Sequence, residues 1–252
     1  MNNKNTILVV NPTKLNVMKA ICNAIVANIL DIIVLGNRLV IESLCKELRF
    51  NINLLQIIDC EYEEDIYFKL DQYKDISNII GIIYDDLDDF KIKTILNYKP
   101  VCHMVNFGEF NKSIFLLNNY NENDSLDEVM DMLSRFNIFY ISIGLVYVDK
   151  EKANQKKQNI KTKYSIRKIN IIDTNKIKKC NNNVIIFENK ILKSAYLSSI
   201  NSVTLTRIIE IRETNNEYIF NIKGLMFKNI FFIFLFLSKV SKKYLNSQIK
   251  II

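Results

Sequence analysis

Four short apolar runs alternating with amphipathic segments constrain the first hundred residues more than any other feature. Thr6–Val10 (TILVV) and Asp31–Leu35 (DIIVL) are continuous apolar runs closed by Asn11-Pro12 and Gly36-Asn37, so they read as strands buried on both faces. Leu54–Asp59 (LLQIID) and Ile79–Tyr84 read as a third and fourth strand. Between them, Val17–Ala27 places Val17, Ile21, Ala24 and Ile25 on one helical face, Leu39–Leu48 does the same with Val40, Leu44 and Leu48, and Glu63–Tyr73 is an acidic helix. Strand-helix-strand repetition with short connections predicts an α/β layer built on a parallel sheet.

Beyond Pro100 the alternation continues. Strands are predicted at Ile114–Leu117, Phe139–Val148, Asn183–Phe187 and Glu217–Ile222, with helices over Leu126–Phe136 and Lys190–Leu197. Ile230–Leu237 (IFFIFLFL) is too short for a membrane span of about 20 residues and reads as a buried helix, serving as core or dimer face. A last short strand is predicted over Gln248–Ile252. The expected organisation is two α/β domains, residues 1–99 with 238–252 and residues 100–237.

Charge is unevenly placed. The chain carries 34 Lys plus Arg against 27 Asp plus Glu, formally +7. The window Lys150–Lys179 holds 11 basic residues and two acids, Glu151 and Asp173, so the rest of the chain is slightly acidic. This window reads first as a solvated, mobile loop and second as an attractor for anions such as CoA. Nucleic acid comes last, because Tyr164 is the window's one aromatic and stacking partners are few. Abundant Asn, Ile and Lys reflect AT-rich codons. The scarcity of glycine, five in all, limits how many phosphate-cradling loops can form. Five scattered cysteines without a C-x-x-C pair, and a single histidine, exclude a structural zinc site and a disulfide frame; a reduced, cytoplasmic setting is expected, with no membrane segment.

Against this background, particular segments resemble the phosphate acetyltransferase and phosphate butyryltransferase family. The family's "ADxILVG" strand is similar to Asn28–Gly36 (NILDIIVLG), and its "EIID" strand to Gln56–Asp59 (QIID). Its "SHVAVFE" and "LLFLTD" segments look like Cys102–Phe107 and Phe110–Asn118, and "PNIExGNxxYKxL" looks like Asn221–Lys228. The similarity runs with gaps over almost the whole chain and is greatest to the shorter butyryltransferase branch. It implies two αβα-layer domains with mainly parallel sheets, isocitrate/isopropylmalate dehydrogenase-like as in phosphotransacetylases. It also implies acyl transfer between acyl-CoA and inorganic phosphate, a homodimer, and CoA as substrate with no tightly bound cofactor.

Departures from the family pattern are equally specific. Its "MKG" stretch after the fourth strand is replaced here by a segment ending in Asp85-Asp86, and "FLTD" by Leu117-Asn118. "NPKMPST" has no counterpart, "VDGPL" has become Phe187–Lys190, and the "LTSR-A/G-DS" loop does not follow Ile251-Ile252. The expectation is therefore a phosphate acyltransferase-like protein with weakened or lost activity; the alternative is a non-catalytic paralogue, a pseudoenzyme that binds CoA or other anions or docks to a protein.

Few residues remain as candidates for the chemistry. His103, the sole histidine, is the candidate general base because histidine is the side-chain type whose unperturbed pKa lies near neutrality, and its competing role is that of a satisfied structural histidine. Cys102 beside it points to the opposite face of a strand, which argues against a Cys-His dyad. Resemblance assigns substrate binding to Gly224 and Lys228, near a helix start where anions bind, although Lys228 could equally be an ordinary helix-end lysine. Asn118 keeps an amide where the family has an acid, so it can position a ligand but not take a proton. The carboxylates Asp85, Asp86, Asp88 and Asp89 read as acids that open a helix rather than as metal ligands.

Overall fold

The computed structural model describes residues 6–74, 76, 79–106, 114–118, 124–135, 138, 140–166, 168–173, 182–201, 207–214 and 217–248. The chain divides into two compact units, Met1–Pro100 with Arg212–Ile252, and Val101–Ile211.

The first unit opens with β1 (Thr6–Val10), α1 (Leu15–Val26), β2 (Asp31–Gly36), α2 (Arg38–Glu47), β3 (Gln56–Asp59), α3 (Glu63–Tyr73), β4 (Ile79–Tyr84) and α4 (Asp89–Leu96). β1, β2 and β4 are largely apolar because each lies between two other strands, whereas β3 is the more exposed edge strand. β1 pairs in parallel with β2 and β4, placing Val10 beside both Leu35 and Tyr84, and β2 pairs in parallel with β3. Leu8, Val10, Leu35, Ile66, Leu70, Ile82, Ile92 and Leu96 form a core between this sheet and α3 and α4. Side chains of this size each contribute about 1.5–3 kcal/mol when fully buried.

The second unit contains β5 (Lys99–Asn106), β6 (Ile114–Asn118), α5 (Asp124–Arg135), β7 (Ser142–Val146), α6 (Lys150–Tyr164), β8 (Lys168–Ile172), β9 (Val184–Phe187) and α7 (Lys190–Asn201). β5 is antiparallel to β6, while β6, β9, β7 and β8 follow one another in parallel. Its core gathers Val105, Leu116, Val146, Ile172, Ile185, Phe187 and Tyr196.

The chain then returns through β10 (Arg207–Glu213), β11 (Tyr218–Asn221) and α8 (Phe227–Gln248). That return falls at Arg212, whereas the sequence placed everything to residue 237 in the second domain. The cause is pairing: β11 adds in parallel to β4, and α8 packs on α1. Gly81 lets α8 approach β4, since a Cβ there would meet Leu237 Cδ1 and Cδ2 at 2.9 Å. The aromatic run is buried, with Phe236 edge-on to both Tyr218 and Phe220 at 5.6 and 5.8 Å between ring centroids.

Two further expectations are corrected. The basic window is not a mobile loop over its described part: residues 150–164 are helix α6 and 168–172 are strand β8. The long strand expected over Phe139–Val148 contracts to Ser142–Val146. Cys180, the 107–113 part of the resemblance and residues 249–252 of the strand predicted over Gln248–Ile252 lie outside the described residues, while Gln248 itself ends α8. Among those described, no helix is long and apolar enough to cross a membrane.

Candidate functional site

In the first unit the chain runs outward from β1 to β2 to β3, then crosses back to β4 on the other side of β1. The carboxyl ends of β1 and β4 therefore flank a switch point, the position where open α/β sheets take ligands. Both strands end the same way: Asn11 and Asp86 adopt left-handed backbones, φ 55° and 50°. Asp85 N–H donates to the Val10 carbonyl at 3.1 Å, and the Asn11 amide donates to the Asp85 carbonyl at 3.4 Å. The tightly paired backbone draws the Asp85 side chain inward.

Charges alternate across this edge. Lys14 Nζ pairs with Asp85 Oδ1 at 2.9 Å, the lysine 41% exposed and the carboxylate fully buried. Asp85 Oδ2 is buried and accepts no hydrogen bond from the described residues. Lys223, following β11, pairs with Asp86 at 2.8 Å. The hydrogen bond and charge of Lys223, with Lys14 beyond, hold the Asp86 carboxyl below its usual range, and Asp86 in turn raises Lys223.

The acids after β4 thus divide into distinct roles. Asp88 caps α4 as its sequence position implied, accepting from the Phe90 and Lys91 N–H groups at 2.8 and 2.9 Å. Asp89 meets Arg212, whose Nη1 donates to Asp89 Oδ1 and to Tyr98 Oη, both at 2.8 Å, and also to Tyr84 Oη. Tyr84 Oη bonds to Asp89, and Asn221 Nδ2 donates to it at 3.2 Å. Burial pushes the Asp89 carboxyl up, but the hydrogen bonds from Arg212 and Tyr84 and the guanidinium charge outweigh it and hold it at about 2. Among the described residues no group of three or more His, Cys, Asp and Glu could hold a metal ion.

Gly224 and Lys228 belong to this unit. Gly224 has φ +76° in the exposed turn between β11 and α8, with open space around a would-be Cβ. Asn16 Nδ2 ties the turn to α1 by donating to the Leu225 carbonyl at 2.7 Å. Lys228 is exposed in the first turn of α8. His103 and Asn118 belong to the second unit instead. His103 sits half-buried on β5 in register with Leu116 of β6, while Asn118 ends β6 beside Phe187 of β9. The side chain of Asn118 lies outside the described residues. Cys102 is buried, and near it Lys193 on α7 is only 6% exposed; desolvation lowers the Lys193 pKa against the opposing pull of Cys102 and Glu210.

Lys14, Lys193 and Arg212 went unnoticed in the sequence, and Asp85 was read there only as an acid opening a helix. Their partners lie far along the chain, 71 residues apart for Lys14 and Asp85 and 123 for Arg212 and Asp89, so no local spacing reports them.

No protein-family model matches the sequence, and no curated protein matches it. Solved structures do. A branched-chain phosphotransacylase from Enterococcus faecalis V583 superposes with a TM-score of 0.65 at 6% identity, covering 94% of this chain and 99% of that one. The EutD phosphotransacetylase from Staphylococcus aureus gives 0.59 at 11%, covering 93% and 94%. A 4-hydroxythreonine-4-phosphate dehydrogenase from Burkholderia phymatum gives 0.56 at 8%, covering 94% and 98%. The chain therefore has the two-unit α/β fold, with mainly parallel sheets, found in phosphotransacylases. The same fold also carries a dehydrogenase, so chemistry has to be argued from side chains.

Proposed function

We propose that the chain is a phosphotransacylase-like protein of the butyryltransferase kind, acting on acyl-CoA or acyl phosphate with inorganic phosphate. The supporting observation is likeness to two phosphotransacylases over 93–94% of its length, together with a positive-φ glycine and an exposed lysine at the α8 start. In the transfer, a phosphate oxygen bonds to the thioester carbonyl carbon, and the carbon–sulfur bond breaks. The departing thiolate takes the proton that the attacking hydrogen phosphate gives up, so the products are acyl phosphate and free CoA. Lys228 and the N–H groups opening α8 supply the positive potential such a phosphate requires. His103 is the candidate base, and Asn118 a ligand-positioning amide. CoA enters as substrate rather than resident cofactor, and the assembly is a homodimer.

A second reading, a CoA- or anion-binding protein without turnover, is favoured by one observation. Where the family resemblance leads to "MKG", this chain has Asp85 and Asp86, and each already occupies a lysine, Lys14 or Lys223. Cations held by carboxylates are less available to phosphate. Purified protein with butyryl-CoA or acetyl-CoA and phosphate separates the readings. Thiol release that Lys228→Ala or His103→Ala abolishes supports the enzyme, and CoA binding without release supports the binding protein. Absence of both removes the proposal.

A further inference from the structure

Among the helices, α6 carries the largest net positive charge, and the proposed acyl transfer does not use it. This 15-residue helix (KEKANQKKQNIKTKY) carries six lysines and one acid, Glu151. Its ends are fixed: Asp149 caps the start by accepting from Glu151 and Lys152 N–H at 2.8 and 3.2 Å, and Ser165 closes it in a left-handed conformation. Ala153 and Ile160 are its buried residues, and it packs on β7 and β8.

The six lysines are not equivalent. On one flank Lys152 stands 3.9 Å from both Asp149 and Glu188, and Lys163 binds Asp127 of α5 at 2.6 Å. Lys150, Lys157 and Lys161 recur at i, i+7 and i+11, which at about 100° per residue puts them within about 20° of a single line. Among the described residues none of these three ammonium groups has a partner. They extend over about 16 Å of helix axis. Between the flanks, Asn154, Gln155, Gln158 and Asn159 expose their amides.

This spacing selects the ligand. A single phosphate or a small carboxylate cannot bridge about 16 Å, whereas one strand of a duplex presents about five phosphates over that axial distance. A lipid surface is disfavoured because the exposed face has no apolar side chain to insert. The scarcity of aromatics argues against single strands, which bind by stacking, but not against a helix laid along a duplex groove, where exposed Asn and Gln meet base edges. We infer that the α6 face carrying Lys150, Lys157 and Lys161 is a docking surface for duplex nucleic acid, bound mainly through its phosphates.

The test is fluorescence anisotropy of the full chain with a labelled duplex of about 20 base pairs, titrated between about 50 and about 200 mM salt. Three neutralised phosphates predict a log–log salt slope of about −2.7, so affinity falls about 40-fold across that range. Lys150→Gln, Lys157→Gln and Lys161→Gln each reduce the slope by about 0.9, and combining them removes binding. The pair Lys152→Gln and Lys163→Gln, whose lysines are already engaged, leaves the slope unchanged. No binding at the lowest salt overturns the inference, as does an equal loss in the Lys152/Lys163 pair. Tighter binding to polyglutamate or to phosphatidylserine vesicles than to the duplex overturns it as well.

Discussion

Lys14 and Asp85 form a 2.9 Å ion pair in which the lysine is 41% exposed and the carboxylate is entirely buried. The two ends of that bond are not equally dispensable. Lys14→Ala leaves a buried carboxylate with neither oxygen paired to a side chain and costs about 2–3 kcal/mol, at or below the lower limit for a fully buried pair because the lysine reaches water. Asp85→Asn frees a lysine that can turn into solvent and costs about 1 kcal/mol or less. Urea unfolding of the two variants reads the asymmetry.

Asp89 makes the first unit acid-sensitive in a defined window. Its folded pKa of about 2 lies below the ordinary carboxyl value of 3.8, so its stabilisation is complete above about pH 4 and disappears as pH falls through about 2. The side chain is half exposed, so solvent screening reduces the contribution to about 1 kcal/mol. Asp89→Asn is expected to lose that amount at neutral pH and to unfold with a shallower pH dependence than the parent between pH values of about 4 and 2, measured by circular dichroism.

Gly224 needs its positive φ but not its small size. Gly224→Ala is expected to cost about 1 kcal/mol, and Gly224→Asn less, because asparagine tolerates the left-handed region. Gly81 is the reverse case. Gly81→Ala pushes a methyl group toward Leu237 and costs about 1–3 kcal/mol, to which Leu237→Ala in the same chain adds less than its separate cost. Thermal melts of the single and double variants distinguish conformational from steric demand.

Burial pushes the Cys22 thiol up to about 12, with Cys45 beside it adding to the rise. A thiol so seldom ionised is a poor nucleophile. In the folded protein Cys22 is expected to resist a disulfide reagent at neutral pH and to react only on the timescale of unfolding, followed by mass spectrometry of the labelled chain.

Sequence patterning exposed the first unit well because its inner strands are buried on both faces and its helices are amphipathic: strand Ile79–Tyr84 and helix Glu63–Tyr73 have the predicted limits. Helix α6 escaped because periodicity had almost nothing to act on. Its two buried residues, Ala153 and Ile160, lie seven apart amid exposed polar side chains, and the available signal was the cap at Asp149. Gly224 and Lys228 were singled out through resemblance, and they lie in a turn and at a helix start. The role of Asp85 was hidden, since a carboxylate ending a buried strand looks in sequence like Asp88, which caps the next helix. Only the fold distinguishes the buried carboxylate from the cap.

Whether this fold carries acyl transfer is read from phosphate-dependent release of CoA thiol from butyryl-CoA. Release is expected to rise with phosphate and to collapse in Lys228→Ala while the variant keeps its parent melting temperature. A protein that neither releases thiol nor binds CoA, at phosphate and butyryl-CoA concentrations saturating for a phosphotransacylase assayed alongside, would contradict that expectation.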